Sequence, residues 1–141
     1  MEVRSAKLSD GPAIMNLVDQ LGYPAELNTV ENRLSILLSN RDIIVLVATV
    51  DERVVGWIQA NYSISLEMDY GVEIIGLVVD DKIRGHGVGA ALVREAVAWT
   101  RKKEAGFLRV RCNVVRTGSH LFYLRNGFTL CKEQKVFDRI L

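Results

Sequence analysis

The stretch "IIGLVVDDKIRGHGVGAAL", residues 74–92, decides the fold of this chain. It joins an apolar run, typical of a buried strand, to a helical pattern, and Gly85, Gly87 and Gly89 lie at the junction. Glycine inside a helix costs about 1 kcal/mol relative to alanine, so glycines at a helix start indicate that something must approach the backbone closely. The free amides and positive dipole of a helix N-terminus suit a phosphate group, and Arg84 adds donors beside them.

Two other interpretations of these glycines exist. A tight strand-to-helix turn with close packing would also use glycine, and the glycines by themselves do not decide between that turn and a phosphate site. A dinucleotide-binding fingerprint is rejected, because it needs an acidic residue about 20 positions further on, where this chain reads "RVRCNVV". It also belongs in the first strand-helix unit, whereas two helices and three strands are predicted before the unit that carries these glycines.

Composition indicates one ordinary domain spanning residues 1–141. Of the 141 residues 49% are hydrophobic and 25% are charged, and the net charge of +1 provides no electrostatic footprint for nucleic acid or an anionic membrane. The charged start lacks the apolar core of a signal peptide, and no apolar stretch approaches the roughly 18 residues of a membrane helix, so we expect a cytoplasmic protein. Cys112 and Cys131 lie far apart in strand-like runs and are predicted to be buried thiols, with no metal site.

The hydrophobic periodicity predicts a mixed chain of strands and helices. Ser9 or Asp10 is expected to cap the first helix and Thr29 the second. Residues 71–113 form a strand, helix, strand unit, which must be parallel and right-handed if both strands share a sheet. The predicted strands are 1–7, 42–50, 54–64, 71–80, 107–115, 128–132 and 134–141, and the predicted helices are 9–22, 29–40, 86–106 and 117–126.

Two separated motifs resemble those of the GNAT superfamily of N-acetyltransferases. The acetyl-CoA motif of that family is Gln or Arg, two residues, Gly, one residue, then Gly or Ala, and residues 84–89 read "RGHGVG". Further on, "SHLFYLRNGF", residues 119–128, resembles the second marker, a short helix carrying Tyr followed by Gly-Phe. The resemblance covers essentially the whole chain. It implies an α/β (mixed α+β) fold with a central twisted, mostly antiparallel sheet of six to seven strands, about four helices on both faces, and strands four and five parallel and splayed.

The resemblance implies an enzyme that moves an acetyl group from acetyl-CoA to a primary amine of an unidentified small molecule or peptide. Transfer would be direct, within a ternary complex, without a metal ion. The alternative is a non-catalytic acyl-CoA-binding or sensory module of the same fold. The C-terminal strands could also pair across a homodimer, as edge strands readily do.

Most of the implied cofactor recognition uses the backbone. The resemblance implies that the pyrophosphate lies on the amides of residues 84–89 and that the pantetheine arm pairs with Leu77–Val79. A β-bulge near Gly76 would aim the amide of Val78 or Val79 at the thioester carbonyl. Many relatives carry Asn where Arg116 stands and Ala where Ser119 stands, which leaves one supporting contact open, with Asn113 as a candidate replacement. The candidate cofactor-binding residues are Leu77, Val78, Val79, Arg84, Gly85, His86, Gly87, Val88, Gly89, Ala90, Asn113, Arg116 and Ser119.

Tyr123 and Glu73 are the candidate catalytic residues. The Tyr123 hydroxyl, with a reference pKa near 10, could donate to a thiolate whose pKa resembles that of cysteine at about 8.5, or its ring could simply pack beside Phe122. Glu73 lies in an apolar strand, where a carboxylate must be paired, hydrated or functional, so it is either the base or a strand-end residue in solvent. Together with Glu67 and Asp69 it suggests a cationic acceptor such as a polyamine, an aminoglycoside or a lysine; peptide and protein N-termini are an alternative.

Overall fold

A computed structural model describes residues 1–141, which divide into two compact units, Met1–Arg111 and Cys112–Leu141. The first unit contains five strands and three α-helices, and the second contains the fourth helix. None of these helices combines the length and the apolar composition needed to cross a membrane. The strands are β1 (Glu2–Ser5), β2 (Ile43–Val50), β3 (Arg53–Ser63), β4 (Gly71–Val79) and β5 (Phe107–Val110), and the helices are α1 (Gly11–Gln20), α2 (Leu27–Leu38), α3 (Val88–Lys102) and α4 (Thr117–Arg125).

The five strands form one sheet in the order β1-β2-β3-β4-β5. The first three pairings are antiparallel and the pairing of β4 with β5 is parallel, as the sequence predicts. The mixed α/β class and the four helices are confirmed. A sheet of six to seven strands is not confirmed, because residues 128–132 and 134–141 adopt no regular structure. Alternating apolar residues satisfy only the local condition for a strand, and a strand forms only where a neighbour pairs with its backbone.

The fifth strand is shorter than its sequence pattern suggests. It ends at Val110, whereas the pattern runs to residue 115, and Cys112 follows it as a half-buried residue. Cys131 is exposed, so the prediction of a buried thiol is wrong there. The apolar side chains of the last residues, from Leu130 to Leu141, are likewise exposed, because no strand partner or helix covers them within their own unit.

Helices cover both faces of the sheet in the first unit. Successive residues of β3 point to opposite faces, so Gly56 approaches Val88 and Leu92 of α3. Trp57 packs instead against the core under α1 and α2. Burying one such apolar side chain stabilises the fold by about 1.5–3 kcal/mol. The buried members of that core are Ala6, Ile14, Val30, Leu34, Val45 and Val47.

The starts of α1 and α2 differ from their predicted caps. Asp10 precedes α1, but its buried carboxylate accepts hydrogen bonds from the Arg4 guanidinium at 2.8 and 2.9 Å and from the Lys7 amide at 2.8 Å. The bonds from Arg4, followed by that from Lys7, hold the pKa of Asp10 below its usual range against the opposing effect of burial. Helix α2 begins at Leu27 rather than after Thr29, because the Val30 amide already donates to the Glu26 carbonyl.

Candidate active site

The loop before α3 owes its glycines to backbone conformation. Gly85 and Gly87 have φ angles of +83° and +81°, in the left-handed region that other residues rarely adopt. A Cβ atom at either position would meet no atom within 4 Å, so close packing does not explain them. The loop therefore bends sharply around open space, which favours the phosphate-site interpretation over the tightly packed turn.

The backbone amides from Arg84 to Ala90 donate no hydrogen bond to another protein group. The first amide of this region with a backbone acceptor is that of Ala91, which donates to the Gly87 carbonyl at 3.0 Å. Such free amides are normal at a helix start, where they add to the positive end of the helix dipole. Gly87, which is the N-cap of α3, has no side chain that could occupy them. The result is a group of unused donors beside open space.

Asp80 fixes the turn that carries this loop. Its buried carboxylate accepts hydrogen bonds from the Lys82 amide at 3.1 Å and from the Gln20 side chain at 3.5 Å. The Gln20 carbonyl oxygen in turn accepts from the Asp81 amide at 3.1 Å, and Arg53 Nη2 lies 3.7 Å from Asp80 Oδ2. The bond from Lys82 is the main cause that holds the pKa of Asp80 below its usual value. Helix α1 and strand β3 thus anchor the beginning of the loop.

Arg84 and His86 fold back onto the same loop. The Arg84 Nε atom donates to the Val79 carbonyl at 3.4 Å, at the end of β4. The Nδ1 atom of His86 lies 3.0 Å from the Ile83 carbonyl oxygen and 3.2 Å from that of Arg84. Because carbonyl oxygens only accept, Nδ1 carries the hydrogen. His86 therefore stabilises the loop in which the sequence places it as a candidate cofactor-binding residue.

Strand β4 has a bulge beside Gly76, as expected from the sequence. Gln59 pairs with Gly76 and Ala60 pairs with Ile74, so Ile75 is an extra residue on β4. A Cβ atom on Gly76 would lie 2.7 Å from the Trp57 ring, which explains the glycine. Parallel pairing with β5 covers only Gly71–Ile74. The last five residues of β4, including Leu77–Val79, therefore have no strand partner on that side, which is the opening expected between splayed strands.

Glu73 is the third residue of β4, lies between β3 and β5, and is only partly exposed to solvent. It pairs with Asn61 on β3 and with Arg109 on β5, and its carboxylate forms an ion pair with Arg111. Only 28% of its side chain is exposed. Glu73 and Asp69 line a cavity of about 170 Å³ together with both arginines, whereas Glu67 does not line it. The acidic charge near Glu73 is therefore balanced by basic charge.

In the second unit, Tyr123 lies in an aromatic group on α4. The rings of Phe122 and Phe128 meet it edge to face, with centroids 5.1 and 5.4 Å away. Burial raises the pKa of Tyr123 to about 12, the nearby Cys112 thiol adds to this effect, and the charge of Arg116 opposes it. The hydroxyl is therefore protonated at neutral pH.

The other candidate residues of the second unit form the start of α4. The Asn113 carbonyl accepts from the Arg116 amide at 3.0 Å and lies 2.9 Å from Nε2 of His120. The Arg116 carbonyl accepts from the Ser119 amide at 3.1 Å. His120 thus secures the helix start through the Asn113 carbonyl. Asn113, Arg116, Ser119 and Tyr123 share one loop and helix.

Sequence reasoning missed several polar residues close to Glu73. Gln59 and Asn61 alternate on one face of β3, where Gln59 Nε2 donates to Asn61 Oδ1 at 3.0 Å, and Arg109 and Arg111 alternate along and beyond β5. Polar residues at every second position of an otherwise apolar strand are the signal that could have indicated this face. What the pattern does not show is which neighbouring strand supplies the partner.

Comparisons with known proteins agree with this geometry. A model of the acetyltransferase (GNAT) family matches residues 14–128. An uncharacterized N-acetyltransferase of Methanocaldococcus jannaschii is 30% identical over 84 residues, which cover 58% of this chain and only 37% of that protein.

Solved structures show the same fold at low identity. An aminoglycoside antibiotic 6'-N-acetyltransferase from Acinetobacter haemolyticus superposes with a TM-score of 0.88 at 17% identity, covering 100% of this chain and 99% of that one. A transcriptional regulator from Bacillus halodurans has a TM-score of 0.88 at 18% identity, covering 98% and 99%. At such identities the likeness describes the fold and leaves the substrate open.

Proposed function

This chain belongs to the acetyltransferase (GNAT) family, and on that premise we propose that it transfers the acetyl group of acetyl-CoA to a primary amine of a small molecule or peptide in a ternary complex. Acetyl-CoA is the co-substrate of GNAT acetyltransferases. The observation that carries the proposal is the continuity of an unpaired β4 edge, Ile75–Val79, with the free amides of Arg84–Ala90.

The residues present fit acetyl-CoA. Phosphate oxygens need several donors at close range, and the loop offers amides beside open space at Gly85 and Gly87. The pantetheine arm carries amide groups, which can pair with the free edge of β4 as another strand would. Lys82 and Arg84 are exposed beside the loop and supply positive charge. Asn113, Arg116 and Ser119 are the proposed additional contacts from the second unit.

Acetyl transfer requires donors for the oxygen of the thioester carbonyl as negative charge develops there. A backbone amide held in place after the bulge, that of Val78 or Val79, is the proposed donor. The leaving sulfur needs a proton or a strong hydrogen bond, which we assign to Tyr123. With a pKa of about 12, Tyr123 is a weaker acid than a thiol with a pKa of about 8.5. Its hydroxyl therefore first donates a hydrogen bond to the leaving sulfur. Complete transfer of the proton from Tyr123 to the thiolate is unfavourable by roughly 3 to 4 pKa units.

Glu73 is the proposed base that removes a proton from the ammonium form of the acceptor before it attacks. Its carboxylate already contacts Arg111, so a proton would reach it directly at the free oxygen or through a water molecule. The neutral amine then attacks the thioester carbonyl carbon, a C–N bond forms, and the C–S bond breaks. The proton that the nitrogen loses as it becomes an amide balances the proton that the leaving sulfur gains, so CoA leaves as the thiol. Arg111 is proposed to orient Glu73 during this step.

A cytoplasmic location is part of the proposal. Neither cysteine forms a disulfide, and Cys131 is exposed. Exposed free thiols persist in reducing compartments, where disulfides are rare.

The alternative function is acyl-CoA binding without catalysis, as in a sensory module. The observation that favours it is the ion pair between Glu73 and Arg111, because a carboxylate paired with an arginine is less available to accept a proton. Titration calorimetry with acetyl-CoA and desulfo-CoA, followed by a thiol-release assay with a panel of amines, separates the two functions. An enzyme binds both ligands and releases CoA only when an amine is present, whereas a binding module releases none.

A further inference from the structure

A second cavity lies between α1, α2 and the sheet, and the proposed binding of acetyl-CoA does not use it. Its volume is about 190 Å³, and its walls include Ile14, Val18, Leu34, Leu37, Val45 and Trp57. An engineered apolar cavity of about 150 Å³ accepts benzene, so a space of this size suits one aromatic ring or a branched aliphatic group. Because its lining is mostly apolar, an apolar occupant gains from leaving water.

The polar groups of this cavity are few and carry no negative charge. Arg33 and Gln59 are the polar side chains in its walls, and no aspartate or glutamate lines it. Arg33 is exposed and forms no ion pair within the protein. Trp57 also lines the cavity, and its indole Nε1 is buried without a hydrogen-bond partner. Arg33 would repel a second positive charge on a ligand in this cavity, and no carboxylate there could pair with that charge.

The cavity adjoins the proposed transfer site along β3. Gln59 is one of its walls and pairs with Gly76 at the bulge of β4. Asn61, two residues further on the same face and therefore about 7 Å away, pairs with Glu73. Because the Trp57 ring covers Gly76, a molecule with its apolar group in the cavity could present an amine past Gln59 and Asn61, toward Glu73.

We propose that this cavity selects the acceptor, and that the acceptor is a primary amine with an aromatic or branched aliphatic group and no second positive charge. The inference rests on the proposed acetyl transfer and names its substrate class. It differs from the cationic acceptor suggested by Glu67, Asp69 and Glu73, because the two arginines balance Asp69 and Glu73. Polyamines and aminoglycosides are therefore disfavoured.

Binding to the cavity can be measured without catalysis. The chain has two tryptophans: Trp57, in the cavity wall, and Trp99, on α3. We expect phenylethylamine to change the fluorescence of the wild-type protein saturably, and to leave that of a Trp57→Phe variant, which reports only Trp99, unchanged. Ethylamine, which lacks the ring, is the matched control and should cause no saturable change. A saturable change with diaminobutane but none with phenylethylamine would overturn the proposal.

Turnover then tests the amine class with two matched pairs. The kcat/KM of phenylethylamine should exceed that of ethylamine by about tenfold or more, because burial of the ring in the cavity lowers the free energy. The kcat/KM of butylamine should exceed that of diaminobutane by a similar factor, because no carboxylate in the cavity pairs with a second positive charge. Filling the cavity by Ala25→Phe should remove the first preference, whereas Ala98→Phe, at an exposed position of α3, should not.

The outcomes separate the two proposals. If acetyl-CoA binds but no amine in the panel releases CoA, acetyl transfer is wrong, while the fluorescence result still decides whether the cavity takes an apolar amine. If diaminobutane is acetylated faster than butylamine and Ala25→Phe changes nothing, acetyl transfer stands and the cavity does not select the acceptor.

Discussion

All four helices of this protein begin without a side-chain cap, and two of them, α3 from Val88 and α4 from Thr117, differ in how deeply they are buried. Helix α3 has 15 residues, seven of them buried, and a glycine loop in front of it. Helix α4 has nine residues, none of them fully buried, and carries the half-buried Tyr123 in its second half. Binding by backbone amides needs a scaffold that holds several groups in place, whereas the role proposed for Tyr123 depends on one hydroxyl. Mutations before α3 and within α4 should therefore have effects of different kinds.

The largest expected effect is at the start of α3. Gly87→Glu places a negative charge among the free amides and forces a non-glycine residue to a φ of +81°. Like charges next to the phosphates cost several kcal/mol, so acetyl-CoA should bind about 100-fold more weakly or worse. Titration calorimetry measures this directly. Gly22→Glu is the matched control, since Gly22 has a φ of +83° and equally open surroundings, and unchanged binding there is expected. Equal losses in both variants would mean that strain alone is responsible.

At α4 the effect should fall on rate instead of binding. Tyr123→Phe removes the hydroxyl and keeps the aromatic contacts with Phe122 and Phe128. Loss of a general acid lowers kcat by about 100-fold or more, while the Kd for acetyl-CoA should change little. Steady-state kinetics and calorimetry on the same preparation check both values. An unchanged kcat would remove Tyr123 from the proposed mechanism and with it the expected difference between the α3 loop and α4.

The scaffold beneath the α3 loop provides a smaller test. Asp80→Ala releases the turn from Gln20 and Lys82, and we expect acetyl-CoA to bind about tenfold more weakly because the amides lose their fixed positions. Asp10→Ala is the control: it removes another buried carboxylate, bound to Arg4 and far from the loop in sequence, and should cost about 2 kcal/mol of unfolding free energy without changing the Kd. If Asp10→Ala weakened binding as much as Asp80→Ala did, the loop would depend on overall stability and not on its own anchor.

The pH dependence of Asp10 follows from its lowered pKa. The stability that its carboxylate contributes is present above the unfolded pKa and is lost as the pH falls through the folded value. Urea unfolding between neutral and acidic pH should therefore show a smaller decline for Asp10→Ala than for the wild type. Parallel declines in the two proteins would contradict this assignment.

The last expected effect is confined to alkaline pH and concerns the ionisation of Tyr123. Because its folded pKa is raised to about 12 while an unfolded tyrosine titrates near 10, stability should fall as the pH rises from about 10 to 12. The difference in tyrosinate absorbance between the wild type and Tyr123→Phe isolates this residue among the four tyrosines. A difference curve with a midpoint near 10 would show that Tyr123 is not shielded from solvent.

Sequence reasoning reached the features that depend on local chemistry. The glycine turn before α3 and the parallel strands β4 and β5 follow from residue types and spacing, the bulge at Gly76 follows from the family resemblance, and the structure agrees with all three. It failed where a partner elsewhere in the chain decides the outcome. Residues 128–141 have the pattern of strands but pair with no neighbouring strand. The sequence around Glu73 gave no indication that Arg111 forms an ion pair with it.

The amino-acid sequence by itself determined the glycine-rich start of α3, where we propose that phosphate binds, because left-handed glycines and free amides are local properties of the chain. It also determined the alternation of apolar and polar residues that forms the sheet. The tertiary structure alone decided which charges neutralise each other around Glu73, and which side chains of α1, α2 and β3 enclose the apolar cavity. Those outcomes depend on contacts between residues far apart in sequence, and only the packed fold brings such residues together.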